Sequence, residues 1–508
     1  MAGGSRRSGS APERDNLALR AAEEEVLTAL RAQNHVRAEA LARKAIARFG
    51  QVAELINMQG VALYYMGQYE AAAARLRRAL QLKPEAVRWA SNLGLAYTAL
   101  NRPQDALAAF ETVLARYPDE PELLGNYGQA LKDAGRFEAA AEVLMRATEL
   151  APTQSRNFSA LAGVLLELDE AEAAIDSYRR TIAIRPDNAV LHHNYAIALL
   201  RQGLFDEGWR EHDWRFRTRD KEVRDYGVPP WQGESLEGVP IRAWGEQGVG
   251  DQILYASMLP DLVALGAEVH VQCDPRLHPL LRRSLPALAS LHGFERPPEE
   301  ALGRYQVAFG SLGGHFRRDA GRFGEGAPFL RADPAARARL RAKYERLAKG
   351  RPVLGVAWRS ANKSFGTFKS MRLTDLAPIV RDRPAFLVNL QYGDCRAELG
   401  EADRMGLEVY DDPEIDQMKD LDGFASQIAA LDGVISVSNT TVHMAGALGV
   451  PTLVMLTRGK GIIWYWFLER TDSPWYRSLR LFRQAEKGAW DGVISAVAAT
   501  VRAGWPGA

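Results

Sequence analysis

The chain has 508 residues, enough for about three domains of ordinary size. Its 64 lysines and arginines balance 63 aspartates and glutamates, for a formal net charge of +1, so composition gives no reason to expect nucleic acid or a membrane as partner. Cys273 and Cys395 lie far apart without CxxC or Cys/His spacing. That argues against a disulfide framework or structural zinc and indicates a reducing compartment.

The N-terminal residues read MAGGSRRSGSAPERDN and lack the apolar core of a signal peptide. Their composition predicts a disordered arm over residues 1–16. No apolar run reaches the roughly 18 residues that a membrane-spanning helix needs. We therefore expect a cytoplasmic protein without a membrane span.

A 34-residue period runs through the first half of the chain. It is marked by Pro84, Pro118, Pro152 and Pro186. In phase with them, small residues recur at Gly60, Gly94, Gly128 and Ala162, and bulky ones at Leu76, Phe110, Leu144 and Tyr178. Small residues suit places where two antiparallel helices approach closely, and proline ends the second helix. The pattern resembles the tetratricopeptide repeat and predicts an α-solenoid of about six helix pairs over residues 17–217.

Stacked repeats of this kind form a superhelix with an extended groove, and such grooves hold peptides or partner proteins. We expect the repeats to bind a protein. The alternative is a surface for homo-oligomerisation, or a spacer.

A polar linker over residues 218–238 separates the repeats from a region where strands alternate with helices. That alternation predicts parallel sheets covered by helices on both faces. We expect two Rossmann-like domains, over residues 239–333 and 351–508, joined by a bridging helix over residues 334–350 and facing each other across a cleft. Ligands of such sheets bind beyond the carboxyl ends of the strands.

The turn GEQGVGDQ follows the first strand of the 239–333 domain. It is not the dinucleotide fingerprint, because Ile253 occupies the place of the third glycine, and this disfavours a nicotinamide or flavin enzyme. Gly248 and Gly250 would let the backbone approach a ligand. Asp251 then opens the helix, either as a general base that takes a proton from an acceptor hydroxyl or as a helix cap.

Two further polar turns follow strands of the 351–508 domain. The loop WRSANKSFGTFKSMRL suits a diphosphate, because its cations and hydroxyls match phosphate oxygens: Arg359, Ser360, Lys363, Lys369, Ser370 and Arg372. In SNTTVH, the helix N-terminus attracts an anion and side chains add donors: Asn439, Thr440, Thr441 and His443. His443 is also at home as a packed core residue. Asp420 and Asp422 precede a helix, so we expect capping there and no metal site.

Taken together, these segments resemble the heptosyltransferase-like glycosyltransferases of the GT-B fold, and more narrowly the bacterial proteins that fuse tetratricopeptide repeats to such a domain. The resemblance rests on GEQGVGDQILYASMLP, GVAWRSANKSFGTFKSMRL, FLVNLQYGD, DGFASQIAALDGVISVSNTTVHMAGALGVPT and ERTDSPWYRSLRLFRQ. It implies inverting sugar transfer from a nucleotide-activated donor, without metal or cofactor, with Asp251 as base. It also implies nucleotide contacts near Gln391. Ser438-Asn439-Thr440 stands where heptosyltransferases carry DTG, which leaves the donor sugar open.

The loop WRS…KS looks like the subgroup that modifies flagellin with nonulosonic acids. That resemblance names flagellin as the protein acceptor docked by the repeats and a nucleotide sugar as the second substrate. Three tryptophans near the expected cleft mouth offer rings that stack on a sugar or base, or that pack between domains: Trp464, Trp466 and Trp475. Two other functions remain: a glycosyltransferase that acts on a glycan such as lipopolysaccharide, and a non-catalytic repeat adaptor with a degenerate nucleotide fold.

Overall fold

The computed structural model describes residues 11–218, 224, 227–324, 326–362, 366–459 and 461–504. The chain divides into two compact units, Met1–Asp187 and Asn188–Ala508. Within the described residues, no helix is both long enough and apolar enough to cross a membrane.

The first unit consists of antiparallel helix pairs. Its described helices are α1 (Ala11–Arg31), α2 (His35–Phe49), α3 (Ala53–Tyr65), α4 (Tyr69–Leu82), α5 (Trp89–Ala99), α6 (Pro103–Leu114), α7 (Pro121–Asp133), α8 (Phe137–Leu150), α9 (Ser155–Glu167) and α10 (Ala171–Ile184). Because α1 begins at Ala11, the expectation of a disordered arm through residue 16 is wrong for residues 11–16. The segment that follows Ala11 is rich in Ala, Glu, Arg and Leu, which favour the helix.

Small residues of one helix meet bulky residues of its partner, as the period predicts. The contact recurs one repeat apart between Gly60 and Leu76, Gly94 and Phe110, and Gly128 and Leu144. At the third pair, a Cβ on the glycine would lie 2.5 Å from Leu144 Cγ, closer than two carbon atoms can pack. Only glycine therefore permits this approach of α7 to α8.

The second unit opens with a further helix pair and continues as α/β structure. Its described helices are α11 (Ala189–Arg201), α12 (Phe205–His212), α13 (Val249–Ala256), α14 (Leu259–Ala264), α15 (His278–Ser284), α16 (Gly313–Phe316), α17 (Pro334–Ala348), α18 (Ala377–Arg381), α19 (Arg396–Arg404), α20 (Leu421–Ala429), α21 (Thr440–Leu448) and α22 (Asp491–Ala503). Its described strands are β1 (Pro240–Trp244), β2 (Glu268–Gln272), β3 (Ser290–His292), β4 (Tyr305–Ala308), β5 (Val353–Ala357), β6 (Phe386–Asn389), β7 (Val409–Tyr410), β8 (Gly433–Val437), β9 (Thr452–Leu456) and β10 (Leu479–Arg483).

The turn inside every helix pair carries a residue with positive φ, and these residues are spaced by one 34-residue repeat. They are Gln33 (φ 56°), Gly67 (76°), Asn101 (55°), Gly135 (76°), Asp169 (61°) and Gly203 (76°). Glycine enters this left-handed region without strain, and asparagine and aspartate tolerate it better than other residues. The series runs from α1–α2 to α11–α12, so the predicted number of about six helix pairs agrees with the structure.

The strands form two sheets that are parallel throughout their described length. The smaller sheet has the order β3-β2-β1-β4, and the larger has the order β10-β9-β8-β5-β6-β7. Paired residues include Ala243 with Val271 and Val356 with Ile435. The central strands β5, β8 and β9 are buried along their whole length. The prediction of parallel sheets is therefore confirmed, and each sheet falls within one of the two predicted domains.

The sixth helix pair packs into the α/β unit, which differs from the expected solenoid over residues 17–217. The indole N–H of Trp209 donates to the carbonyl of Arg317 at 2.8 Å, and Gly313 lies flat against the same ring. Phe205 packs on Phe323 with ring centroids 4.8 Å apart. Bulky aromatic residues bury too much area to stay at the open end of a solenoid, so this pair joins the core of the second unit.

Part of the predicted linker is ordered along the edge of the smaller sheet. The backbone N–H of Trp231 donates to the carbonyl of Gln306 at 2.8 Å, and the Trp231 ring is buried. The expected bridging helix is α17, and it packs against the part of the chain that contains the larger sheet. Leu340 of this helix is buried, and the Tyr344 hydroxyl donates to Asp412 at 2.7 Å.

Candidate functional site

The two sheets bring two helix N-termini together. The chain leaves β1 through a glycine-rich turn into α13, and it leaves β8 through Asn439 into α21. Gly250, in the first turn of α13, lies against α21. A Cβ at this glycine would be 3.0 Å from His443 Cδ2 and 3.5 Å from Thr440 Oγ1. Because Gly250 has no side chain, the turn between β1 and α13 can approach the N-terminus of α21 closely.

Asp251 lies at this junction and is partly exposed. Its Oδ2 accepts a hydrogen bond of 3.3 Å from the backbone N–H of Gly248, which is a helix-capping contact. Its negative charge also opposes the lowering of the Lys369 pKa by burial. The same charge adds to burial in raising the pKa of the Tyr465 and Tyr476 hydroxyls. The cap role is thus observed, and the role as general base stays a prediction.

Lys369 is buried within the charge effect of Asp251, with 4% of its surface exposed. Burial lowers the pKa of its ammonium, and the nearby charge of Asp251 partly offsets that effect. Among the described residues, the ammonium has no hydrogen-bond or ion-pair partner. A buried cation without a partner is costly, so this arrangement fits a place that an anion fills.

His443 is enclosed by aromatic side chains. Its Nδ1 lies 3.2 Å from the hydroxyl of Tyr476, its Nε2 lies 3.2 Å from the hydroxyl of Tyr465, and its ring stacks on Trp466 at 5.3 Å. Burial, and then the charge of Lys369, lowers the pKa of His443 to about 3. A neutral imidazole donates from one nitrogen and accepts at the other, so the two tyrosines satisfy it completely. His443 therefore fits the alternative of a packed core residue, and its contact with a ligand stays a prediction.

Asn439 and Thr441 also hold the junction together. Asn439 Oδ1 accepts from the backbone N–H of Thr441 at 3.0 Å, and its Nδ2 donates to the carbonyl of Arg359 at 3.2 Å. The Thr441 hydroxyl donates to the carbonyl of Leu390 at 3.4 Å. These buried side chains have partners within the protein, and their contact with a donor stays a prediction. Thr440 is the partly exposed member of the predicted group.

Side chains of the basic loop after β5 also have partners within the protein. Arg359 does not point to the junction: its Nε donates to Glu398 at 3.0 Å and its Nη2 to the carbonyl of Asp394 at 2.6 Å. Gln391 is 1% exposed, and its Oε1 accepts the backbone N–H groups of Trp358 and Arg359. Both residues support the loop through contacts within the protein, and direct contacts of either one with a ligand stay a prediction.

Two serines fold the loop that carries Lys369. The Ser370 hydroxyl donates to the carbonyl of Gly366 at 2.6 Å and accepts from the backbone N–H of Ser360 at 3.0 Å. Arg372 is exposed and pairs with Asp375. Lys363, a further predicted contact, lies outside the described residues.

The three tryptophans are core residues and not an open platform. Trp464, Trp466 and Trp475 are 5%, 1% and 3% exposed. Trp464 packs edge-on against Trp209 at 5.3 Å, and the Trp466 indole donates to the hydroxyl of Ser438 at 2.8 Å. Trp475 packs against Phe323 at 4.8 Å. Their ring faces are covered, so packing between parts of the second unit, and not ligand stacking, is the role that the structure assigns.

The sequence interpretation missed Arg215, Tyr465 and Tyr476. The tyrosines adjoin the predicted tryptophans in WYWF and PWYRS, so the dense aromatic clustering was the available signal for them. Nothing in the local sequence marks Arg215, which lies in a 3-10 helix over Asp213–Arg217 and pairs with Glu246 of the glycine-rich turn.

Asp420 and Asp422 lie away from the junction. Asp420 Oδ1 accepts from the backbone N–H of Gly423, so the capping prediction is confirmed for it, while Asp422 pairs with Arg283. In the described parts of the chain, no cluster of three or more His, Cys, Asp or Glu side chains has a geometry that suits a metal. Two cavities, of about 670 and 620 Å³, have walls that do not include Asp251, Lys369 or Thr440.

Comparison with known proteins agrees with this architecture. The tetratricopeptide repeat model matches residues 57–110 and 97–163, which confirms the repeat prediction. Protein FlbA of Caulobacter vibrioides is 30% identical over 476 residues, covering 89% of this chain and 77% of that protein. The cytochrome c-type biogenesis protein CycH of Pseudomonas aeruginosa is 29% identical over 121 residues, covering 23% of this chain and 30% of that protein.

Among solved structures, MamA from Desulfovibrio magneticus RS-1 is 18% identical and covers 33% of this chain and 95% of its own, with a TM-score of 0.31. A thermophilic TPR protein in Thermus thermophilus is 20% identical and covers 36% of this chain and 99% of its own, with a TM-score of 0.32. The fold, the two repeat models and the match to protein FlbA define a bacterial protein in which tetratricopeptide repeats precede an α/β unit with two parallel sheets. More particularly, the chain belongs to the family of protein FlbA, and the match spans more of the chain than either compact unit.

Proposed function

We propose that this chain is a glycosyltransferase of the GT-B type that moves a sugar from a nucleotide-activated donor to Ser or Thr hydroxyls of a protein. One observation carries the proposal. The buried ammonium of Lys369 has no hydrogen-bond or ion-pair partner among the described residues, and it feels the charge of Asp251, whose neighbour Gly250 lies against the N-terminus of α21. A cation and a carboxylate at one junction suit the two charges that develop in sugar transfer.

Lys369 and the N-terminus of α21 form the donor side. As the bond between the sugar and the nucleotide phosphate breaks, negative charge builds on the leaving phosphate. A desolvated ammonium and the dipole of a helix N-terminus stabilise that charge better than water does, because they are already oriented. Thr440, partly exposed at the first position of α21, adds a hydroxyl. Burial, and then the charge of Lys369, keeps His443 uncharged, so it adds no second buried cation near Lys369.

Asp251 forms the acceptor side. Its carboxylate takes the proton from the acceptor hydroxyl as the oxygen attacks the anomeric carbon, and the bond from that carbon to the phosphate oxygen breaks on the opposite face. The configuration at the anomeric carbon is therefore inverted. Lys369 supplies the positive charge at the leaving group, and we propose that the reaction needs neither a metal ion nor an organic cofactor.

The repeats supply the acceptor. A solenoid groove binds an extended segment of protein, and tethering raises the effective concentration of that segment's hydroxyls at the junction. The resemblance of the basic loop names flagellin as the acceptor and a nonulosonic acid as the sugar. A glycan acceptor would have no use for such a groove, which is why a protein acceptor is preferred.

The test is the intact mass of flagellin co-expressed with this chain in a host that makes nucleotide-activated nonulosonic acids. We expect a mass increase of one or more sugars, absent with Asp251→Asn. Asparagine keeps the capping oxygen, so this variant should stay folded. Asp333→Asn is the matched control, because the Asp333 carboxylate also caps a helix, accepting from the backbone N–H of Ala336 at the start of α17. Glycosylated flagellin from the Asp251→Asn strain would refute the role of Asp251, and an unmodified mass with the native chain would refute flagellin as acceptor.

A further inference from the structure

Phe467 has a backbone conformation that a bulky residue rarely takes. Its φ is 54° and its ψ is −176°, a region that only glycine enters without strain. Among the described residues, it is the one aromatic residue with positive φ. The residue is 5% exposed, so this conformation lies inside the protein and not in a surface turn. Contacts with its surroundings must therefore hold Phe467 in this conformation.

Three contacts hold the strained backbone. The backbone N–H of Phe467 donates to the carbonyl of Trp464 at 3.0 Å. The carbonyl of Trp466 accepts from Arg483 Nη2 at 3.0 Å. The Phe467 ring packs edge-on against Phe205 of α12, with centroids 5.9 Å apart. Because this ring contact would be lost if the backbone relaxed, it opposes relaxation.

The side chains just before the strained residue hold the start of α21. The hydroxyl of Tyr465 lies 3.2 Å from His443 Nε2, and the Trp466 ring stacks on the same imidazole at 5.3 Å. The Trp466 indole N–H donates to the hydroxyl of Ser438 at 2.8 Å. Ser438 and His443 lie on either side of Thr440 in the chain. The positions of Tyr465 and Trp466 therefore fix the first turn of α21.

We propose that Phe467 is a positioning residue for the phosphate of the donor. The inference rests on the proposed function, in which Lys369 and the N-terminus of α21 hold that phosphate. While the backbone of Phe467 keeps its positive φ, Tyr465 and Trp466 stay on His443. A relaxed backbone with negative φ would turn the chain in another direction and draw these side chains away. The phosphate would then meet a displaced helix N-terminus.

Alanine and glycine at this position separate backbone strain from ring packing. Phe467→Ala and Phe467→Gly both remove the ring that packs on Phe205. Alanine keeps the Cβ that disfavours positive φ, whereas glycine takes the native φ without strain. Glycine should therefore preserve the native conformation of the segment better than alanine does, although alanine retains more of the side chain.

The measurement is isothermal titration calorimetry of the full-length chain with inorganic pyrophosphate, which represents the phosphate of the donor. Phe467→Ala should weaken the binding of pyrophosphate about tenfold or more, because the strain is no longer opposed by the ring contact. Phe467→Gly should stay within about threefold of the native affinity. Lys369→Met, which removes the cation of the same site, should show no binding.

Phe323 supplies the matched control, because its ring packs on the same Phe205 with centroids 4.8 Å apart. Phe323 ends the 3-10 helix Ala320–Phe323, so its backbone is not strained in this way. Here the usual order should hold: Phe323→Gly should have a lower urea midpoint than Phe323→Ala. At position 467 the two midpoints should have the opposite order.

Equal pyrophosphate affinities of Phe467→Ala and Phe467→Gly, or no binding of pyrophosphate by the native chain, would overturn the inference. If Phe467→Ala does not fold, Phe467→Leu takes its place, since leucine also keeps the Cβ. The mass of co-expressed flagellin is measured separately. A mass increase together with equal affinities would overturn the positioning role and leave the proposed function in place. The expected order of affinities without a mass increase would support the positioning role and count against the proposed function.

Discussion

Arg215 and Glu246 form a buried two-pronged ion pair: Arg215 Nε lies 2.9 Å from Glu246 Oε2, and Nη2 lies 2.5 Å from Oε1. Their side chains are 0% and 7% exposed. The pair ties the 3-10 helix that follows α12 to the glycine-rich turn that carries Asp251. The end of the repeat-like region is thus part of the frame of the candidate site.

This pair predicts the outcome of two truncations. Removing residues 1–187 should leave the second unit folded, because all partners of Arg215 remain. Removing residues 1–217 should destabilise it by more than roughly 3–5 kcal/mol, because Glu246 loses its buried partner and the core also loses Phe205 and Trp209. Urea denaturation followed by tryptophan fluorescence measures the difference. Equal unfolding midpoints for the two truncated chains would contradict the prediction.

Lys369→Met should separate stability from function. Because burial lowers the pKa of this ammonium, replacing it with an apolar chain of similar length should stabilise the ligand-free protein by on the order of 1 kcal/mol. The same change should abolish binding of nucleotide sugars in a thermal-shift screen. Lys419→Met is the control, since Lys419 is exposed and should change neither quantity. A destabilised Lys369→Met protein would show that Lys369 has a structural role.

His443 should make the protein sensitive to acid. Its pKa is lowered from 6.5 to about 3, so between these values the unfolded chain holds a proton that the folded chain lacks. The resulting stability is fully present above pH 6.5 and is lost as the pH falls towards 3, with a slope of up to about 1.4 kcal/mol per pH unit. His443→Gln should flatten the dependence of the urea midpoint on pH in this window. An unchanged slope would rule out His443 as its source.

Gly128 and Leu144 should be energetically coupled. Gly128→Ala places a methyl group 2.5 Å from Leu144 Cγ and should destabilise the protein by about 1–3 kcal/mol. Leu144→Ala creates space, so the double variant should lose less stability than the sum of the single variants. Gly400→Ala is the control, because a Cβ there meets no atom within 4 Å. Additive losses in the double-mutant cycle would show that the two residues do not share this contact.

The repeats were predictable because each one packs a small residue of one helix against a bulky residue of the next, at the same spacing. Gly94 and Phe110 are opposite each other for a reason that is visible in the sequence. The turn residues with positive φ follow the same period. This period was not visible in the sequence, because Gln33 and Asn101 occupy positions where other repeats have glycine. The boundary of the solenoid was less predictable. In the sequence, the aromatic residues of α12 look like an ordinary helix face. Only their packing partners show that this helix belongs to the core of the second unit.

The candidate site was predictable as a set of strand ends but not in the orientation of its side chains. Gly250, next to Asp251, does lie against Thr440, as expected from turns at the carboxyl ends of parallel strands. Arg359 and Lys369 look alike in the sequence, yet one is held by Glu398 and the other is buried beside Asp251. That difference depends on residues from distant elements, which local sequence patterns do not contain. The burial of Trp466 likewise depends on residues from distant elements.

The division after Asp187 has a consequence for how this protein can change. The five helix pairs of the first unit follow one repeating register, and the sixth is built into the α/β unit. Whole pairs can therefore be gained, lost or exchanged upstream of that residue while the frame around Asp251 stays intact. Under the proposed function, the protein that is bound and the reaction that is catalysed could then be changed independently, by exchanging helix pairs of the first unit.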